Sequence, residues 1–242
     1  MGVGGGILLV PLLVHTMGFG QHEAQGTSLA FIIVTALVAA VPYFRHEHLD
    51  PLLAAYLAAG AVPGVLLGSR LAASTPAPRL RQAFGVLILA TAVRLLVAPP
   101  LGAAEGGAWG APASVVLGLG VGVLAGLLGV GGGTILVPAL VLGQRLAQHA
   151  AQGVSLLTIV PVGLVGMLSY ARRGQLVPAA LPALLLGGAI GALAGALLAH
   201  HTRAPVLSRL FALFLLPVAA QMIFGKPRGS VAGSYEIQGE PR

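Results

Sequence analysis

Two glycine runs hold the residues best placed to do chemistry in this chain, Gly2-Val3-Gly4-Gly5-Gly6 and Gly129-Val130-Gly131-Gly132-Gly133. Each glycine costs a regular helix about 1 kcal/mol relative to alanine and admits positive φ, so each run predicts a helix break. Apolar sequence follows both, Ile7 to Val14 and Thr134 to Leu142, and restarts a helix there. The free N–H groups and positive dipole end of such a start can hold an anion. The candidate contact residues are therefore Gly4, Gly5 and Gly6 in the first run and Gly131, Gly132 and Gly133 in the second. The plainer alternative is a hinge or a close-packing element. Recurrence, each time with a proline five residues after the last glycine, favours the binding device. Neither run is followed by Lys-Ser or Lys-Thr, which argues against a phosphate loop.

Polar side chains come next in both places, Gln25-Gly26-Thr27-Ser28 and Gln152-Gly153-Val154-Ser155, with His22 and His149 just before them. Amides and hydroxyls near a helix start either cap that helix or donate to a solute oxygen, and the two jobs are compatible. For Ser28 and Ser155, capping or interhelical bonding is favoured. For Gln25 and Gln152, solute contact is favoured, because a long amide in apolar surroundings is costly without a partner. Gly26 and Gly153 complete the candidate set. His22 and His149 are expected at an interface rather than in catalysis, although imidazole chemistry would suit pH-linked transport.

Other groups read more plainly. Gly60, Gly64 and Gly68, Gly187, Gly191 and Gly195, and Gly118, Gly122 and Gly126 form small-residue stripes that let helices approach closely. Arg94 is expected to snorkel from near a span end. Tyr43 with Arg45, and Tyr170 with Arg172, are expected as interfacial aromatic and basic anchors, with anion steering as the sharper alternative. His46 with His48, and His200 with His201, are not accompanied by a convincing set of carboxylates and do not recur in the other half, so no metal and no other cofactor is expected. No Gly-x-Ser-x-Gly elbow, HExxH or paired intramembrane aspartate occurs, so an enzyme is not expected.

These residues must be carried by elements that live in lipid. Of the 242 residues, 57% are hydrophobic and only 8% charged, against about 25% charged in a soluble domain. Crossing about 30 Å of hydrocarbon takes roughly 20 helical residues, which leaves room for about seven or eight helices and no soluble domain. The net charge of +7, from 13 Lys and Arg against 6 Asp and Glu, comes mostly from arginines at span ends. That placement suits headgroup anchoring or attraction of an anionic solute, not nucleic acid. With no cysteine there is neither a disulfide nor a thiolate site.

Sliding the chain along itself so that Gly2 falls on Gly129 aligns the two halves without a gap. Leu9-Val10-Pro11 then meets Leu136-Val137-Pro138, Ala24-Gln25-Gly26 meets Ala151-Gln152-Gly153, and Tyr43 and Arg45 meet Tyr170 and Arg172. We therefore expect an all-α polytopic membrane protein of two homologous helical repeats with glycine-broken helices. Helices are expected near 7–18, 24–42, 52–72, 80–98, 112–128 with a continuation at 134–143, 151–169, 178–199 and 206–224. The first repeat would occupy 1–98, a linker 99–111, the second repeat 112–224, and a polar disordered tail 225–242. Only the second glycine run is preceded by an apolar helix, Ala113 to Leu128, so a further helix upstream of the first is expected.

The duplicated G-x-G-G-G-x-x-x-x-P, followed by A-x-G-x-S-L, resembles the TauE/SafE family of membrane permeases, also grouped as sulfite exporters. The resemblance runs from Gly2 to about Phe224. It implies a multi-pass transporter of the inner (plasma) membrane that moves small sulfur oxyanions or organosulfonates such as sulfite or sulfoacetate. Val154 stands where the family commonly has threonine, which removes one hydroxyl from the candidate site. The implied partners are a small anionic solute and membrane lipid, without nucleic acid, and a homo-oligomer is compatible with this. The reading from another class is a noncatalytic membrane scaffold or assembly subunit, in which the glycines only pack helices.

Overall fold

The computed structural model describes residues 4–45, 50–97, 110–144, 146, 148–201 and 204–224. Their regular structure is helical: α1 (Gly6–Thr16), α2 (Gln21–Arg45), α3 (Pro51–Ser74), α4 (Ala77–Val97), α5 (Ala111–Leu128), α6 (Gly133–Gly143), α7 (Gln148–Ala171), α8 (Leu181–His201) and α9 (Ala204–Phe224), with a 3-10 turn, Pro178–Ala180, before α8. Most of the linker expected at 99–111, the whole tail at 225–242, and His46 and His48 lie outside the described residues, as does the side-chain placement of His200 and His201.

Among the described residues, five helices are long and apolar enough to cross a bilayer, with spans at Gln21–Val41, Pro51–Ser74, Ala111–Leu128, Ala150–Ala171 and Pro178–Gly195. This is a multi-pass arrangement. α1 and α6 have 11 residues each, about 16 Å of helix, roughly half of a bilayer core.

α2 and α7 pack against each other at the centre, with α3 and α1 alongside α7 and α2 respectively. α8 lies on α2, α6 on α7, α5 on α3, and α4 on α9. Leu29, Ile32, Leu156 and Ile159 are fully buried between the central helices. Leucines at 52, 66, 67, 71 and 186 point outward, where lipid rather than water makes exposure of large apolar side chains favourable.

The glycine stripes behave differently on two helices. A Cβ on Gly60, Gly64 or Gly68 of α3 would overlap a backbone carbonyl of α5, and one on Gly118, Gly122 or Gly126 would overlap a carbonyl of α3. Only bare backbones fit at that separation. By contrast, a Cβ on Gly187, Gly191 or Gly195 of α8 would have nothing within 4 Å among the described residues, so no described helix packs closely on that stripe.

Candidate functional site

Both glycine runs leave the helical conformation where they are described, and the second separates α5 from α6. Gly4 and Gly5 have φ of 65° and 77°, and Gly131 and Gly132 have 71° and 83°, all in the left-handed region that a side chain would strain. Gly129, at φ 70°, closes α5 by returning its N–H to Ala125 O at 2.9 Å. Gly5 and Gly132 are the N-caps of α1 and α6, and neither short helix has a side chain capping its start. At their far ends the Phe19 N–H reaches Leu13 O and the Leu146 N–H reaches Leu140 O, closing both helices in the same way.

One side chain brings the two breaks together. A Cβ on Gly4 would stand 2.8 Å from Ile32 Cγ2, and one on Gly131 would stand 2.9 Å from the same atom. The polar residues of α2 sit beside this meeting point. Gly6 faces Ser28, whose Oγ would lie 3.1 Å from a Cβ there, while Gly129 lies against Gln25, with Cα and Cβ each 2.6 Å from such an atom. Ser28 thus faces the first break and Gln25 the second. Gly5 looks toward Phe31, Gly132 toward Val121, and Gly26 against the carbonyl of Gln175 and the Cβ of Tyr170, so these three glycines serve contacts around the breaks rather than the gap between them. Gly133, Gln152, Gly153 and Ser155 are buried on α6 and α7.

Burial and hydrogen bonding separate the polar groups by role. Gln25 and Ser28 are 0% exposed, and among the described residues Gln25 Nε2 and Ser28 Oγ have no hydrogen-bond partner. Ser28 is not the cap that its sequence position suggested. α2 begins at Gln21, a full turn earlier than expected, because Gly20 N–H donates to Glu23 Oε2 at 2.8 Å and Ala24 N–H to Gly20 O at 2.9 Å. Ser28 therefore lies inside the helix. His22 Nε2 donates to Ala72 O at 3.0 Å, a link from α2 to the end of α3.

Three residues matter here that sequence reasoning did not place in the site. Thr134, at the second position of α6, is buried with Oγ1 unpartnered among the described residues; its signal was a hydroxyl directly after the glycine run. Thr35 Oγ1 donates to Gly4 O at 2.8 Å and so tethers the first break to α2, with no sequence signal beyond a polar residue in an apolar stretch. Tyr170 is fully buried and its hydroxyl lies 2.7 Å from Gly126 O and 3.2 Å from Gln25 Oε1, which corrects its reading as an interfacial anchor. The side chain of Tyr43, at the matching position in the first half, is outside those described.

Chemically, the meeting point offers two uncapped helix starts, one amide NH2 and two hydroxyls. None of these groups carries a full charge. Such an array suits a partner with oxygen acceptors and negative charge.

Comparison with known proteins agrees in kind. Residues 1–227 match the family described as Sulfite exporter TauE/SafE. A "Probable membrane transporter protein" of Xylella fastidiosa (strain Temecula1 / ATCC 700964) is 29% identical over 231 residues, covering 93% of this chain and 88% of that protein. Two Bacillus subtilis (strain 168) proteins are also similar. "Probable membrane transporter protein YunE" is 24% identical over 249 residues, covering 93% of this chain and 91% of its own, and "Probable membrane transporter protein YdhB" is 25% identical over 228 residues, covering 92% of each. No solved structure matches the chain. With broken, uncapped half-helices meeting among apolar spans, and a family match along nearly its whole length, the chain belongs to the TauE/SafE family and is a multi-pass membrane transporter.

Proposed function

We propose that this chain is a permease of the inner (plasma) membrane that moves a small anion, a sulfur oxyanion or an organosulfonate such as sulfite or sulfoacetate. The supporting observation is the set of buried donors at the two breaks without a partner among the described residues: Gln25 Nε2 and Ser28 Oγ on α2 and Thr134 Oγ1 at the start of α6. A buried polar group left unpaired costs about 1–3 kcal/mol, so three beside two uncapped helix starts call for a ligand with acceptors. Helix N–H groups of Gly6 and Gly133 would meet the solute's oxygens, and Gln25, Ser28 and Thr134 would complete its shell. Gln152 and Ser155 would contribute from the α7 side.

The balance of charge fits transport better than storage. Dipoles and neutral donors hold an anion at a moderate depth, which allows release, whereas a buried arginine would hold it far more strongly. The half-length of α1 and α6 supports a site well inside the bilayer, reached from either face by rearrangement of the helices around it.

The test is uptake into liposomes of sulfite, sulfoacetate, sulfate and chloride under imposed pH gradients. Saturable flux of one sulfur anion is expected. Gln25→Ala combined with Gln152→Ala should abolish that flux while the yield of folded protein stays the same. Flux and folded yield lost together would instead favour the scaffold.

A further inference from the structure

The Tyr170 hydroxyl has one proton and two acceptors in reach, Gly126 O at 2.7 Å and Gln25 Oε1 at 3.2 Å. All three groups are buried, and they come from three helices: α2, α5 and α7. A glutamine amide is a donor on one side and an acceptor on the other, and its two orientations differ only in which side faces which neighbour. With Oε1 turned to the phenol, Nε2 is left buried and without a partner among the described residues. The backbone packs closely on both sides of Gln25: a Cβ on Gly129 would overlap Cα, Cβ and Cγ of Gln25, and one on Gly26, the next residue, would overlap Tyr170 Cβ and the Gln175 carbonyl.

From this juxtaposition we infer that Tyr170 is a positioning residue: by engaging Gln25 Oε1 it sets the amide with its NH2 toward the solute, and so makes the site a donor site that selects anions. The inference rests on the anion site proposed above and deepens it. The opposite setting has a defined chemistry. Nε2 would donate to the phenol oxygen while the phenol donates to Gly126 O, and Oε1 would face the solute as an acceptor that repels anions. The two settings predict effects of opposite sign when the hydroxyl is removed.

The test uses the full chain in liposomes with sulfite as the probe, and sulfoacetate, sulfate and chloride in parallel. Tyr170→Phe is expected to raise the half-saturation concentration roughly threefold to tenfold, the effect of one misdirected hydrogen bond, with the limiting rate retained. In a Gln25→Leu background the same substitution should change nothing further, because Tyr170 acts through Gln25. An unchanged or lower half-saturation in Tyr170→Phe would overturn the inference, since the NH2 would then have been spent on the phenol. So would additive effects of the two substitutions, which would assign the hydroxyl to Gly126 alone. Absence of saturable flux of any of the four anions by the unaltered chain overturns the transport reading and this inference with it, whereas flux with an additive cycle overturns only the latter.

A second measurement needs neither transport nor a folded Tyr170→Phe protein. The ultraviolet Raman doublet of tyrosine separates a phenol that only donates from one that also accepts. The difference spectrum between the unaltered chain and Gln25→Leu should show a donor-only phenol in both. A phenol that loses acceptor character on Gln25→Leu would mean that Gln25 had been donating to it, and would overturn the inference.

Discussion

Ser28 illustrates how a single residue's partners decide the sign of a substitution. A cap or a core hydrogen bond lost on Ser28→Ala would cost about 1 kcal/mol, but this hydroxyl is buried with no partner among the described residues. We expect Ser28→Ala to leave the thermal midpoint in detergent unchanged or raised, while anion affinity falls severalfold. A clear drop in the midpoint would return Ser28 to a structural role. Thr35 should behave in the opposite way. Its hydroxyl holds Gly4 O at 2.8 Å, so Thr35→Val should destabilise the fold by about 1–2 kcal/mol, read as a lower midpoint. Gln25 and Ser28 were legible in the sequence because polar residues in an apolar stretch must be accounted for. Tyr170 was not, since a tyrosine two residues from an arginine at a span end has the same local pattern whether it lies at the interface or folds inward.

At the level of helices, equal sequence patterns meet unequal surroundings. The stripes on α3 and α8 both read as close-packing faces, yet among the described residues only the α3 stripe of the two is occupied. Gly64→Ala should abolish the folded yield, because its Cβ would overlap Leu119 O of α5. Gly191→Ala meets open space and gains helix propensity of about 1 kcal/mol, so its midpoint should hold or rise. A cysteine-free chain also permits a test of the α3–α7 contact. Ser69 Oγ and Ser169 Oγ are 2.7 Å apart, and Ser69→Cys with Ser169→Cys should cross-link on oxidation, visible as faster migration on a denaturing gel. If transport requires these helices to slide, flux should stop on oxidation and return on reduction. Both breaks were legible from glycine alone. The starts of α2 and α7 were placed a turn late, because Gln21-His22-Glu23 looks like loop until Glu23 is seen to accept from Gly20 N–H and His22 to reach Ala72 O.

For the molecule as a whole, the absence of Asp, Glu, His, Lys and Arg from the candidate set, Gly4 to Gly6, Gln25, Gly26, Ser28, Gly131 to Thr134, Gln152, Gly153 and Ser155, bears on energetics. Flux should follow the membrane potential and the solute's own ionisation. A potassium-diffusion potential positive inside the liposome should drive anion uptake, and a pH gradient at zero potential should add only what solute protonation explains. Accumulation driven by the proton gradient beyond that amount would place a titrating group in the transport cycle. Composition and the placement of glycine were enough for the solvent, the helical class and the two breaks. Composition sets which medium can cover the surface, and glycine acts on its own backbone wherever it occurs. Helix packing settles that both breaks converge on Ile32, that Gln25 lies against the second break and Ser28 against the first, that Tyr170 turns inward, and that the α8 stripe meets no other described residue. These are contacts between residues far apart in the chain, fixed by how the helices pack, and no local pattern encodes which faces will meet.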